Sequence, residues 1–308
     1  MKPAANVTNT ARRRRLPLAA VAVSIACLLV FGAAGPAGAY FERVVASGRN
    51  VALGGAFTGV ADDPTAILVN PAGLALMARA GALATYNQPF NVTGLGASFA
   101  ADAVPLGKNG VIGASWHYLG LRDALSENLL SLGYARHLIS NSQDASLSIG
   151  ATVDLLSASE TAGGRSDNLF TGGLGVLLRP FPSIGMGYSI RNLVTGDIHL
   201  LDGGPGTSVQ RQQSWGLAVK WHNRVSLALD RRQDAVGDWR DHAGVEIIAH
   251  PNLHLRAGMD GRYATGGFGV LWRGARADIG FASHADLGAT YVFSIAWLPK
   301  VVNPYARK

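Results

Sequence analysis

The sequence is short of nearly everything that marks the familiar soluble classes. It holds one cysteine in 308 residues, Cys27, which excludes a disulfide scaffold and thiolate metal sites. Charged residues make up only 15% of the chain, against about 25% in ordinary globular proteins. Only one apolar run approaches the twenty residues a membrane helix needs, and it lies at the N-terminus, so the rest of the chain cannot cross a bilayer as helices. No G-x-S-x-G, H-E-x-x-H or phosphate-loop motif occurs, and His117, His137, His242 and His284 are scattered. The expectation is a non-enzymatic protein without a cofactor.

What is present at the start is a basic cluster, Lys2 and Arg12 to Arg15, then an apolar stretch from Leu16 to about Gly32, then Ala37-Gly38-Ala39. This three-part pattern predicts a secretory signal peptide over residues 1–39, with Tyr40 as the mature N-terminus; a retained signal anchor is the competing reading. Ser24-Ile25-Ala26 before Cys27 makes a poor lipobox, so no lipoprotein is expected. Removing the leader takes the formal charge from +7 to about +2, which excludes nucleic acid as a partner.

Glycine is plentiful, 39 residues, close to twice the usual share of about 7%. From Gly81 onward the dominant period is two. Trp215, Leu217, Val219 and Trp221 alternate with Ser214, Gly216, Ala218 and Lys220, and Tyr291, Phe293, Ile295 and Trp297 with Thr290, Val292, Ser294 and Ala296. Fourteen such segments are expected, at 81–90, 93–104, 110–121, 126–139, 145–158, 167–179, 183–192, 208–221, 223–232, 239–249, 252–260, 265–273, 275–283 and 287–298. An even count suits a transmembrane up-and-down β-barrel spanning 81–298, all-β and antiparallel, in the bacterial outer membrane. Over the second half, tight connections at 179–182, 221–224, 250–252 and 273–275 alternate with looser ones at 159–167, 193–209, 233–238 and 261–264. Trp215, Trp221, Trp272 and Trp297 fall at strand ends, where interfacial girdles form. A soluble β-sandwich shares the short strands and glycine turns but has no reason for either feature.

Residues 40–80 carry a different signal. Gly54-Gly55 permits a sharp bend, Pro64 and Pro71 restrict the residues before them, and Asp62, Asp63 and Asn70 can cap turns, with Gly73 just beyond. Asp62 and Asp63 also raise a calcium or magnesium site, but no EF-hand spacing follows and capping is the preferred role. The segment is expected to pack like a plug at the periplasmic mouth or inside the barrel. On the late strands, Lys220, Asp230, Glu246, His254, Arg256, Asp260 and Asp278 should face inward, as a selectivity patch in a water-filled path or as an internal ion-pair network.

Ser47 to Thr58, Ala61-Asp62-Asp63-Pro64 and Asn70-Pro71-Ala72-Gly73-Leu74 together resemble the N-terminal signature of the PorV/PorQ family, outer-membrane barrels distantly related to the FadL fatty-acid transporters. Arg191-Asn192-Leu193, Gly244-Val245-Glu246, Leu255-Arg256-Ala257-Gly258, Gly266-Gly267-Phe268-Gly269, Asp278 and the run from His284 to Gly288 look like later parts of the same family. The resemblance implies docking or shuttling of secreted proteins for type IX secretion, with cargo or secretion-system proteins as partners beside outer-membrane lipid. The alternative is a FadL-like channel for small hydrophobic molecules, with the segment from Arg49 to Leu74 as a hatch. Asp286, Gly288, Tyr291 and Phe293 follow the polar, glycine, aromatic, aromatic spacing of the signal read by the barrel-assembly machinery. The tail, 299–308, departs from that signal by continuing past the last strand.

Overall fold

The computed structural model describes residues 45–140, 145–161, 163–200, 207–234, 237–285 and 287–298. The expected signal peptide, the tail and Asp286 lie outside them. The first half of the barrel consists of β1 (Gly81–Gln88), β2 (Leu95–Pro105), β3 (Val111–Leu121), β4 (Leu125–Ser140), β5 (Ser146–Glu160), β6 (Arg165–Phe181) and β7 (Ile184–Arg191). A small hairpin follows, β8 (Gly196–Ile198) with β9 (Thr207–Val209). The second half is β10 (Gln212–Trp221), β11 (Val225–Gln233), β12 (Trp239–His250), β13 (Leu253–Asp260), β14 (Tyr263–Trp272), β15 (Ala275–His284) and β16 (Gly288–Trp297). The fourteen long strands form a closed barrel, each antiparallel to its neighbours, and β1 pairs with β16 through Ala82 opposite Trp297.

Alternation decides which way each side chain points. On β16 Tyr291, Phe293, Ile295 and Trp297 are exposed while Val292, Ser294 and Ala296 are buried. The same pattern on the other strands produces an exterior of large apolar groups that water would not tolerate and hydrocarbon does. With each of these fourteen strands paired on both sides, the barrel leaves no sheet edge to face lipid. This is a barrel built for the bacterial outer membrane.

Both ends of the barrel sheet meet at one rim, where β1 begins and β16 ends. The longest connection, 192–211, is at the opposite rim, which makes the rim of the termini the periplasmic one. Trp221, Trp272 and Trp297 close their strands at the periplasmic rim, all exposed; Trp215 is nearer the outer one, its ring tilted against Tyr188 with centroids 4.2 Å apart. Two expectations need correction. Residues 208–211 do not belong to a long strand: Thr207–Val209 pairs with Gly196–Ile198 in the separate hairpin, and β10 starts at Gln212. The connection expected to be loose at 261–264 is the two-residue turn Gly261-Arg262, with Gly261 at φ 58°, so the tight-and-loose rhythm breaks there.

The segment from Val45 to Met77 lies inside the barrel. It is built of short pieces: α1 (Gly48–Ala52), α2 (Ala66–Val69) and a 3-10 turn at Pro71–Leu76. Ser47 caps α1 by accepting from the Asn50 amide at 3.1 Å. Pro71 opens the 3-10 turn, where its missing N–H costs nothing, and Asn70 caps it by accepting from the Ala72 amide. Gly54 and Gly55 take φ of 67° and 79°, a bend that a β-carbon would strain.

The barrel admits this segment because its inward positions are stripped down to glycine where the two backbones meet. A β-carbon on Gly216 would sit 2.5 Å from the Gly59 nitrogen, one on Gly244 2.5 Å from the Leu53 carbonyl, and one on Gly258 2.6 Å from the Gly54 nitrogen. Gly187 faces Thr58, Gly280 faces Gly48 and Gly150 faces Pro71 in the same way. The glycine excess therefore has a specific location and a steric cause. Replacing Gly216 with valine is expected to expel the stretch around Thr58 while leaving the barrel closed. Limited trypsin digestion should then cut at Arg49 in the variant but not in the parent, with heat-modifiable migration on gels unchanged in both.

Candidate functional site

The interior has two unlike sides. On the side of β10 to β16, charges dominate. Arg256 on β13 bonds Glu246 on β12 at 2.6 Å and Asp278 on β15 at 2.8 Å. Arg276 bonds Asp278 at 2.6 Å and crosses to Asp63 of the inner segment at 2.8 Å. Arg49 on α1 completes the loop by reaching Asp62 at 2.6 Å, Asp63 at 3.1 Å and Glu246 at 3.3 Å. Lys220 stands 3.7 Å from Asp62, and His254 3.8 Å from Glu246. Asp260 faces His242 at 3.2 Å, and His242 in turn meets the Gly54 carbonyl at 2.7 Å.

Asp230 works differently. One of its oxygens accepts from the amides of Phe57 and Thr58 at 2.8 and 2.7 Å, so the strand carboxylate fixes the inner backbone directly. Asn70 ties the other end, donating to the carbonyls of Thr58 and Val176. Asp63 joins two jobs: its Oδ1 accepts from the Thr65 amide and hydroxyl, and its Oδ2 takes the two arginines. Pro64 leads into α2, and Gly73 lies so close to Ala61 that a β-carbon would sit 2.5 Å from that residue's own.

All seven inward charges expected from the sequence thus point into the lumen, and five of them, Lys220, Glu246, His254, Arg256 and Asp278, join one network with Asp62 and Asp63. The sequence reading missed Arg49, Arg276 and His242. Arg276 and His242 were legible, since each shares the inward phase of a strand with a named charge, Asp278 and Glu246. Arg49 was not, because nothing periodic marks an inward side chain on a five-residue helix. Of the insertion-signal residues, Gly288 opens β16 at φ 82°, and Tyr291 and Phe293 face outward.

Burial alone would raise the carboxyls of Asp62 and Asp63. Arg49 and Lys220 around Asp62, and Arg276 and Arg49 around Asp63, outweigh it and hold both below the usual carboxylate range. A depressed carboxyl contributes stability above its unfolded pKa and loses it as pH falls through the folded one. The hold of these two carboxylates on the inner segment should therefore be flat from about pH 8 to pH 5 and weaken only below about pH 4; protease protection of Arg49 against pH, in a His242→Gln background that removes the imidazole bonded to Gly54, measures this. Breaking the network is costlier than acid in the neutral range: Arg256→Leu leaves Glu246 to Arg49 and Asp278 to Arg276, each short of one buried partner, and should cost about 3 kcal/mol in urea unfolding from vesicles.

The other side, β1 to β6, mixes an apolar row with buried polar positions that include Glu127 and Asp154. One inward row runs across five neighbouring strands as Phe99, His117, Leu129, Leu156 and Leu169, each opposite the next in the ladder. The row below it reads Ala101, Ser115, Ser131, Asp154 and Thr171. Ile67 and Leu74 of the inner segment form the floor, resting on Gly133 and Gly113, and Ile198, Leu200 and Val209 from the β8–β9 connection form a roof. Apart from His117, roof, row and floor belong to one continuous apolar cluster. The roof is tied down by Val194, whose carbonyl accepts from the Thr171 hydroxyl at 2.9 Å, and by the His199 amide, which donates to Asp167 at 2.8 Å. On the lipid side of the same wall lies an open apolar cavity of about 700 Å³, flanked by Trp116, Leu130, Leu132 and Phe170 over small Ala100 and Ala114. The ladders between β1 and β4 are continuous there, so the wall has no gap.

No protein-family model matches this chain, and no curated protein matches it. Solved structures do. The chain is similar to the toluene transporter TodX of P. putida, with 14% identity and a TM-score of 0.60, over 83% of this chain and 99% of that one. It is also similar to a FadL homologue of Pseudomonas aeruginosa, with 13% identity and a TM-score of 0.56, over 84% of this chain and 99% of that one. What is shared is the fold. A deletion mutant of TodX described as a monoaromatic hydrocarbon channel matches equally well, at 12% identity and a TM-score of 0.59, over 82% and 99% of the two chains. Nothing in these comparisons supports the PorV/PorQ resemblance over the broader FadL-like one.

Proposed function

We propose that this protein is an outer-membrane channel for small apolar molecules, exported by a signal peptide over residues 1–39 and closed from the periplasmic side by the inner segment as a plug. The observation that carries the reading is the apolar half-lumen, in which Phe99, Leu129, Leu156 and Leu169 lie between a roof and a floor that are themselves apolar. Ions gain nothing from such a wall, whereas an apolar solute leaves water on entering it. The fold shared with a toluene transporter and a FadL homologue supports the same reading. The secretion-docking role expected from the PorV/PorQ resemblance gives way to this one: the neighbours named above are a toluene transporter and a FadL homologue, and Ile198, Leu200 and Val209 of the long outer connection are buried instead of presented to cargo.

The charged half-lumen then has a mechanical role. Its network holds the plug in register, and the selectivity-patch reading loses its basis because Glu246, Arg256 and Asp278 are each buried and paired with one another or with the plug. The proposal is transport without reaction.

The test is uptake. Expressed in a Gram-negative host that lacks hydrocarbon channels, the protein should speed entry of radiolabelled toluene several-fold over the empty vector. Leu156→Asn, which puts an amide into the apolar row, should cut the gain by about an order of magnitude. In planar bilayers the same protein should insert and stay electrically silent. Uptake no faster than the vector, or stepwise ion conductance from the intact protein, would overturn the reading.

A further inference from the structure

Resting on the channel reading, one feature of the apolar row narrows its ligand. His117 is 1% exposed, and neither of its ring nitrogens has a hydrogen-bond partner among the described residues. Its ladder neighbours are Phe99 on one side and Leu129 on the other, both fully buried, so neither of them can supply the missing bond. Two residues before it on the same face of β3 is Ser115, and opposite Ser115 on β4 is Ser131; the hydroxyls of both are buried and likewise unpartnered. Directly opposed residues on neighbouring strands hold their β-carbons about 5 Å apart, and positions two apart on one strand lie about 7 Å apart. One small group brought to this corner therefore meets all three.

Leaving polar atoms unpaired in an apolar interior costs free energy, and native proteins rarely bear that cost three times in one place without a use. A barrel meant only to be greasy would place leucine at 117, as the next strands do at 129, 156 and 169. The geometry points to a binding site in which His117, Ser115 and Ser131 take the hydroxyl of an otherwise apolar molecule, a phenol or a related alcohol, whose body lies along Phe99, Leu129 and Leu156.

Charge argues for a neutral group. Asp154 stands opposite Ser131 in the same row, with a bond from the Thr152 hydroxyl, and opposes an anion at the serines. Arg191, on β7, lies within electrostatic reach of both Asp154 and His117, so a cation gains no net field either. A hydroxyl can donate to an imidazole nitrogen and accept from a serine at once, which neither a hydrocarbon nor a carboxylate can do. A site built around such bonds discriminates against an analogue of equal size that lacks the group, since the analogue leaves the same atoms unpaired.

The experiment compares 2-naphthol with 2-methylnaphthalene, which differ by a hydroxyl in place of a methyl, on the full chain in detergent, read by displacement of a fluorescent apolar probe. Wild type should bind the naphthol about fivefold more tightly. His117→Leu should remove that preference by weakening naphthol alone, with methylnaphthalene unchanged, and His117→Gln, which can still donate and accept, should restore part of it. Unchanged methylnaphthalene binding also certifies that the leucine variant is folded. Equal affinities in wild type, or a preference that survives His117→Leu, would overturn the hydroxyl site while leaving an apolar channel standing. If neither compound binds, the channel reading fails and the site goes with it.

Discussion

A strand in hydrocarbon has no water to fall back on, so each of its amides and carbonyls must be met by a neighbouring strand. Everything else in this molecule is arranged around that requirement. It forces the sheet to close between β1 and β16, closure forces one face of every strand into a confined interior, and the confinement dictates what the inward residues can be. The exterior needs only to be apolar, which explains its tolerance of Leu, Val, Phe and Trp without pattern beyond the alternation. The interior is where particular residues matter.

Inside, space is divided by sterics and by charge. Glycines on β5, β7, β10, β12, β13 and β15 let a second backbone approach the wall closely, and ion pairs on the late strands then fix its position. Buried pairs are poor contributors to net stability but strict about geometry, because each partner is costly to leave alone. The early strands hold the inner segment without ion pairs to it, through Gly150 against Pro71 and Val176 accepting from Asn70, and add an apolar row of their own. The roof from β8–β9 belongs with that row.

The fold was readable in sequence because barrel strands write their geometry into a period of two. Trp215 to Trp221 and Tyr291 to Trp297 point where alternation says they should, and the fourteen segments fell within a few residues of the observed strands. Where the reading slipped, local pairing overrode length: Thr207–Val209 found a partner in Gly196–Ile198, and Gly261-Arg262 made a tight turn out of what composition suggested was a loop. The charged wall was half legible. Asp278 and Arg276 declare a common face by spacing alone, but Arg49 reaches that face from a helix of five residues whose position depends on the whole barrel. The apolar row was not legible at all, because Phe99, His117, Leu129, Leu156 and Leu169 come from five strands and become a row only once the ladder registers are known.

The ion-pair wall also sets an order of events. The inner segment is among the first parts of the barrel-forming chain to be made, yet Arg49 waits for Glu246, 197 residues later, and Asp63 for Arg276, 213 residues later. Contacts of such separation are the slowest to form, because a long loop must close before they return anything. Until the last strands arrive, Arg49, Asp62 and Asp63 are ordinary charges in water. Once they arrive, the same three residues become inseparable from the final third of the sequence, and the two ends of the chain's history are joined in one cluster.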